Sequence, residues 1–327
     1  MSRRMIMGAA ILVALALIAG VILNWPGPST PGTDPNTETA ATADFSQIPD
    51  SPYWTADDQW VEVAGLRTRV RQTGAPDAAP IILIHGFSVS LESWDAWAED
   101  LSTDYRVIRA DLPGHGLTGP DPQKRYSVPQ TAAFIGDLMT AMDIDQAIVG
   151  GNSLGGLAAW RFAADNPDRV SALILVSPGG YSINGVTEDP VAVPAPIDAY
   201  LRMAPPAFVS AATAQLYGDA SRLDPAVPTR IAALMAHDSN GAAMVERLEV
   251  FTLPDPESDL ARVTAPTLIL HGERDAMIPV DHSRDMAQII PNAHLVTFDD
   301  LGHVAHEEAP GRTLAEVRAF LQQGDSE

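Results

Sequence analysis

A chain of 327 residues, 46% hydrophobic and 19% charged, has a globular composition and enough length for one large core or two smaller ones. Acids outnumber bases 42 to 20, a formal charge of −22, so a polyanion is repelled over most of the surface and nucleic-acid binding is excluded. With no cysteine, disulfides, thiolate metal sites and cysteine nucleophiles are excluded too, and Lys124, the single lysine, has no GxxxxGK motif around it.

Residues 5–23 carry no charge and follow Arg3 and Arg4; as a helix they would reach about 28 Å, close to a bilayer core. Asn24, Trp25 and Pro26 come next instead of a small-x-small cleavage triplet. Residues 1–24 are therefore expected to form an uncleaved transmembrane signal anchor. Its basic end would lie in the cytoplasm and the rest of the chain on the extracytoplasmic side, periplasmic or extracellular. Residues 25–52 hold Pro26, Pro28, Pro31, Pro35, Pro49 and Pro52 among Gly, Thr, Ser, Ala and acids, a linker that reaches on the order of 30 Å as a coil.

From Trp60 on, short aliphatic or β-branched runs alternate with helical patterns. Strands are expected over residues 60–63, 68–72, 81–84, 106–110, 147–149, 172–176, 267–270 and 294–298. Several are apolar without alternation, as in Ile81-Ile82-Leu83-Ile84, which suits strands of a parallel sheet covered on both faces. Helices are expected over 94–101, 128–142, 154–166, 281–290 and 310–322, with Pro129 in a first turn and Pro167 as a stop. Residues 53–177 and 263–327 thus read as two parts of one α/β core. Residues 178–262 break the alternation with ten prolines and short helix-like patterns over 231–236 and 242–248, and read as an inserted helical cap.

Gly151-Asn152-Ser153-Leu154-Gly155-Gly156 stands where a strand ends and a helix begins. In that GxSxG context the turn forces the serine into a crowded backbone conformation, so the residues two positions either side must lack side chains. Gly151 and Gly155 meet that need. A serine hydroxyl becomes a useful nucleophile only when a base takes its proton and an acid fixes the tautomer of that base.

His85-Gly86-Phe87, Asp111-Leu112-Pro113-Gly114-His115-Gly116, the serine motif, His271-Gly272-Glu273-Arg274-Asp275 and Leu301-Gly302-His303 follow one another in the chain. In kind and order they resemble the motifs of the α/β-hydrolase superfamily, in its serine-nucleophile branch with a helical cap, over about residues 60–321. The resemblance implies a mostly parallel eight-stranded sheet flanked by helices. It implies a triad of Ser153, Asp275 and His303, with the oxyanion held by the backbone N–H groups of Phe87 and Leu154. Asp275 has rivals in Glu273, Asp299 and Asp300. His85 and His115 are expected to shape the oxyanion loop and a turn, and His271 to be structural. A metal reading of His303, His306, Glu307 and Glu308 lacks a third ligand at helical spacing and any HExxH, so no metal and no cofactor is expected.

Serine rather than aspartate at the elbow points to acyl transfer. The expected activity is hydrolysis of carboxylic esters with small or medium acyl groups, on a small-molecule substrate, through an acyl-enzyme. The alternative is a carbon–carbon bond hydrolase of vinylogous diketones from ring cleavage, whose elbow GNSLGG resembles. Leu216-Tyr217 and Arg230 likewise resemble the substrate-binding stretch of that branch, whereas Val304 stands where it usually has tryptophan. A non-catalytic binding module and a perhydrolase are further readings. Phe208, Leu216, Tyr217, Leu248 and Phe251 either line an acyl pocket or pack the cap onto the core.

Overall fold

The computed structural model describes residues 50–324; the expected anchor and the linker up to residue 49 lie outside the described residues. The chain divides into two units, Met1–Thr55 and Ala56–Glu327. In the first, the described residues include a turn closed by the Trp54 N–H on the Ser51 carbonyl at 3.1 Å.

The second unit is built on eight strands: β1 (Asp58–Val63), β2 (Leu66–Thr73), β3 (Pro80–Ile84), β4 (Arg106–Ala110), β5 (Ala147–Asn152), β6 (Val170–Val176), β7 (Thr267–Gly272) and β8 (Ala293–Phe298). They form one sheet in the order β1-β2-β4-β3-β5-β6-β7-β8. The first two pairings are antiparallel and the rest parallel. Side chains of a strand point alternately to the two faces. Ile82 and Ile84 accordingly join one core with Ile108, Val149 and Leu175, while Ile81 and Leu83 join a second with Val107, Ile148 and Ile174.

Helices cover both faces, which is why β3 and β6 carry unbroken apolar runs, Ile81-Ile82-Leu83-Ile84 and Leu173-Ile174-Leu175-Val176. α1 (Asp95–Leu101), α2 (Val128–Ala141) and α3 (Leu154–Asp165) precede or link the early parallel strands, and α9 (Val280–Ile289) joins β7 to β8. α10 (Ala305–Glu308) and α11 (Pro310–Gly324) close the chain. Trp94, Trp97 and Leu101 pack with Leu314, Val317 and Leu321 on one face; Ile135, Leu138, Leu157 and Trp160 pack on the other. α2 starts as its sequence dictates. Ser127 and Gln130 form a reciprocal capping box, with Pro129 in the first turn.

Between β6 and β7 the chain makes five helices: α4 (Ala195–Met203), α5 (Pro206–Ala214), α6 (Ala226–Met235), α7 (Asn240–Glu249) and α8 (Glu257–Leu260). Leu201, Val209, Ile231, Met235, Met244 and Val245 give this insertion a core of its own, which Val89 from the loop after β3 enters. Leu248 packs into that small core and Phe251 against the main one. The loops that follow β3, β5, β7 and β8 carry the expected site residues at the carboxyl ends of the strands, where open α/β sheets bind ligands.

Candidate active site

Ser153 stands between β5 and α3 with φ 54° and ψ −114°, a positive-φ conformation that costs a serine about 1–3 kcal/mol and survives only where its surroundings enforce it. They do so by close approach. A Cβ on Gly155 would strike the Ile84 carbonyl and lie 2.6 Å from that of His85, and one on Gly151 would strike the Gly155 carbonyl and lie 2.7 Å from the Gly156 nitrogen. The Ser153 N–H donates to the Val176 carbonyl at 3.1 Å, and its own carbonyl accepts from Gly179 at 3.1 Å.

Asp275 and His303 meet. The Asp275 Oδ2 accepts from His303 Nδ1 at 2.8 Å, which places the ring proton on Nδ1 and leaves Nε2 with its lone pair in the neutral imidazole. Asp275 Oδ1 accepts from the N–H groups of Met277 at 2.7 Å and Ile278 at 2.9 Å. Burial alone would raise the Asp275 pKa, yet His303 and His271 beside it hold the carboxyl well below the ordinary carboxylate range. The His271 Nε2 faces two acceptors, Ile278 O at 3.1 Å and Asp275 Oδ2 at 3.1 Å, so it carries the proton, and Nδ1 accepts from Ser283 Oγ at 2.6 Å. Two of the rival acids are engaged elsewhere, Glu273 with Arg284 at 2.6 Å and Asp300 with Arg312 at 2.7 Å and Arg222 at 2.7 Å, and the third, Asp299, is exposed.

The His303 loop is held from several sides. The Asn152 side-chain amide donates to the His303 carbonyl at 3.1 Å and to Val176 at 3.0 Å, which ties the serine elbow to the histidine loop. The Leu301 carbonyl accepts from the Arg274 N–H at 3.0 Å, and the Val304 N–H donates to Leu216 at 3.3 Å. Sequence reasoning does not single out Asn152 for this task, although a polar residue ending a buried apolar strand is a usable signal.

Phe87 and Leu154 flank the elbow. Leu154 is the first residue of α3, so its N–H has no partner within the helix. Phe87 is oriented indirectly. The Leu112 N–H donates to His85 Nε2 at 2.9 Å, leaving His85 Nδ1 to donate to the Gly86 carbonyl at 2.7 Å, and that peptide unit carries the Phe87 N–H. Burial lowers the His85 pKa to about 4, which keeps the ring neutral and this pattern intact. Below the loop, the buried Arg69 pairs with Asp58 at 3.1 Å, Glu92 at 2.7 Å and Asp111 at 3.3 Å, while Asp111 Oδ1 accepts from Leu91 N–H at 2.9 Å.

Tyr217 and Arg230 belong to the insertion. Tyr217 is buried, and burial pushes its phenol well above the usual range, with Glu307 adding to the rise and Arg230 opposing it. Burial pushes Glu307 up to about 7, again opposed by the Arg230 charge. The Arg230 Nε is buried without a hydrogen-bond partner. His303, His306, Glu307 and Glu308 turn to different surroundings. His306 stacks on Trp94 with centroids 4.1 Å apart, and Glu308 binds backbone N–H groups. Among the described residues no group of three His, Cys, Asp or Glu is arranged to hold a metal ion.

A serine on a strand–helix elbow, with an acid and a hydrogen-bonded histidine on the turns after later strands, defines a class of hydrolases. The chain belongs to the alpha/beta hydrolase fold family, whose sequence model matches residues 79–310. It is similar to the poly(3-hydroxyalkanoate) depolymerase of Ectopseudomonas oleovorans, 30% identical over 79% of this chain and 89% of that one. It is also similar to the 2-hydroxy-6-oxo-2,4-heptadienoate hydrolase of Pseudomonas putida, 29% identical over 81% of this chain and 96% of that one. Among solved structures, a bacterial membrane phospholipase A shares the fold with a TM-score of 0.71 at 21% identity, covering 100% of both chains.

Proposed function

We propose that the protein is a serine hydrolase of carboxylic esters with small or medium acyl groups. Ser153 Oγ attacks the ester carbonyl while His303 Nε2 takes its proton, and the imidazolium that forms is stabilised by Asp275. The developing oxyanion is met by the N–H groups of Phe87 and Leu154. His303 then returns the proton to the leaving alcohol, and a water activated by the same histidine releases the acid. The observation that carries the reading is the 2.8 Å bond from His303 Nδ1 to Asp275, which keeps Nε2 available as a base on a loop that the Asn152 amide ties to the elbow, where Ser153 is held at φ 54°. The kinship with a poly(3-hydroxyalkanoate) depolymerase supports an ester substrate.

The test is hydrolysis of a chain-length series of p-nitrophenyl esters by the fragment starting at Phe45, with Ser153→Ala in parallel. Turnover is expected for the wild-type fragment, lost by about 10⁴-fold or more in the variant. Wild-type rates in Ser153→Ala would overturn the mechanism.

A second reading, carbon–carbon cleavage of vinylogous diketones, is favoured by the unpartnered Arg230 Nε beside Tyr217, a cation suited to a substrate carboxylate, and by kinship with the heptadienoate hydrolase. Esters left unturned by a fragment that a fluorophosphonate still labels would select it. We also propose, from the uncharged residues 5–23 behind Arg3 and Arg4, that the N-terminus anchors the enzyme in a membrane with its catalytic unit on the extracytoplasmic side.

A further inference from the structure

The loop Leu301-Gly302-His303-Val304 leads directly into α10, whose last residue is Glu308. The Glu308 side chain is fully buried in its ion pair with Arg222. Its Oε2 accepts from the Gly302 N–H at 2.7 Å and the Gly218 N–H at 2.9 Å. Its Oε1 accepts from the Asp219 N–H at 2.9 Å and pairs with Arg222 at 3.2 Å. One carboxylate thus joins the residue before His303 to the insertion stretch 216–222. The two backbones touch there. A Cβ on Gly302 would lie 2.5 Å from the Gly218 nitrogen and the Leu216 carbonyl, and one on Gly218 would lie 2.5 Å from the Asp300 carbonyl and 2.8 Å from the Gly302 nitrogen. The Val304 N–H on Leu216 at 3.3 Å closes the seam on the other side of the histidine. Arg222 also reaches Asp300 at 2.7 Å, binding the same loop from its start.

We propose that Glu308 is a positioning residue, one that makes the alignment of His303 depend on the seating of residues 216–219 of the insertion. The inference rests on the reading of His303 as the base. A substrate that lifts this stretch draws Gly302 with it and moves the imidazole away from Ser153, so acyl groups that fit beneath a seated stretch are turned over and bulkier ones bind without reacting. In Glu308→Gln one oxygen becomes an NH₂ group, which must face either Gly218 and Gly302 or Asp219 and Arg222, donor against donor.

The experiment compares wild type, Glu308→Gln, Gly218→Ala, their double variant and His303→Ala on the ester that the wild type hydrolyses best. Active sites are titrated with a fluorophosphonate and melting temperatures are recorded alongside. Glu308→Gln is expected to lower kcat per titrated site by about tenfold to a hundredfold with KM changed by less than about twofold. Gly218→Ala, which parts the seam from the insertion side, is expected to lower kcat in the same way, and the double variant to lose less than the product of the two. Wild-type kcat per site in Glu308→Gln with only the melting temperature reduced would overturn the proposal. Should that variant fail to fold, wild-type kcat in Gly218→Ala would overturn it equally. Activity retained by His303→Ala would instead sink the reading of the base; loss there with no effect of the other variants would sink this inference alone.

Discussion

His306 shows how a single buried ring shapes the response to pH. It is 1% exposed, stacks on Trp94, and has no hydrogen-bond partner at either nitrogen; Glu307 Oε1 is 3.9 Å from its Nε2. Burial lowers its pKa to about 3, with the His303 charge adding to the fall. Below the ordinary histidine value the unfolded chain therefore takes up a proton that the folded ring refuses, and stability is lost as pH falls. His306→Phe keeps the stacked ring and removes the titration. Its stability advantage over wild type is expected to widen by about 2 kcal/mol between about pH 7.5 and pH 5, as read by urea unfolding at each pH. Glu307, whose raised pKa acts with the opposite sign, is present in both proteins and drops out of the difference. A gap that stays constant with pH would contradict the assignment.

α7 is latched to the loop after β4 by buried polar groups. The Arg247 guanidinium, 1% exposed, donates to the Tyr126 carbonyl at 3.0 Å, Thr131 Oγ1 at 2.6 Å and the Pro113 carbonyl at 2.8 Å. Asn240 donates to Gly116 at 2.8 Å. Arg247→Met leaves those acceptors without their donor while sparing the burial of a charge, a net loss of about 2–3 kcal/mol. Limited proteolysis should then cut the α4–α8 region faster than the sheet, and equal rates in wild type and variant would refute the latch. Elements of this kind mark the boundary of what is legible in the sequence. The parallel strands are readable because burial on both faces leaves an unbroken apolar run, and the elbow because sterics demand glycine at 151 and 155. α4 and α5 are not, since Pro194, Pro196, Pro205 and Pro206 read as breakers although they stand at or just inside helix starts. Asn152, Arg247 and Glu308 bond to backbone groups distant in sequence, and no local pattern records such a partner.

For the whole molecule, the formal charge of −22 opposes approach to anionic lipid, so the membrane residence proposed above rests on the apolar residues 5–23 and not on the surface of the catalytic unit. The full chain is expected to stay with membranes through an alkaline carbonate wash, and the fragment from Phe45 to be recovered in the supernatant. A full chain released by the wash would refute the anchor. The seam at Gly218 and Gly302 bears on how such a protein is re-engineered. Grafting the insertion of a relative onto this sheet transfers one half of a mould whose other half is residues 300–308, and a foreign stretch with any side chain at position 218 meets the Asp300 carbonyl. A chimaera that exchanges 178–262 together with 300–308 therefore preserves the fit, whereas exchange of the insertion alone breaks it.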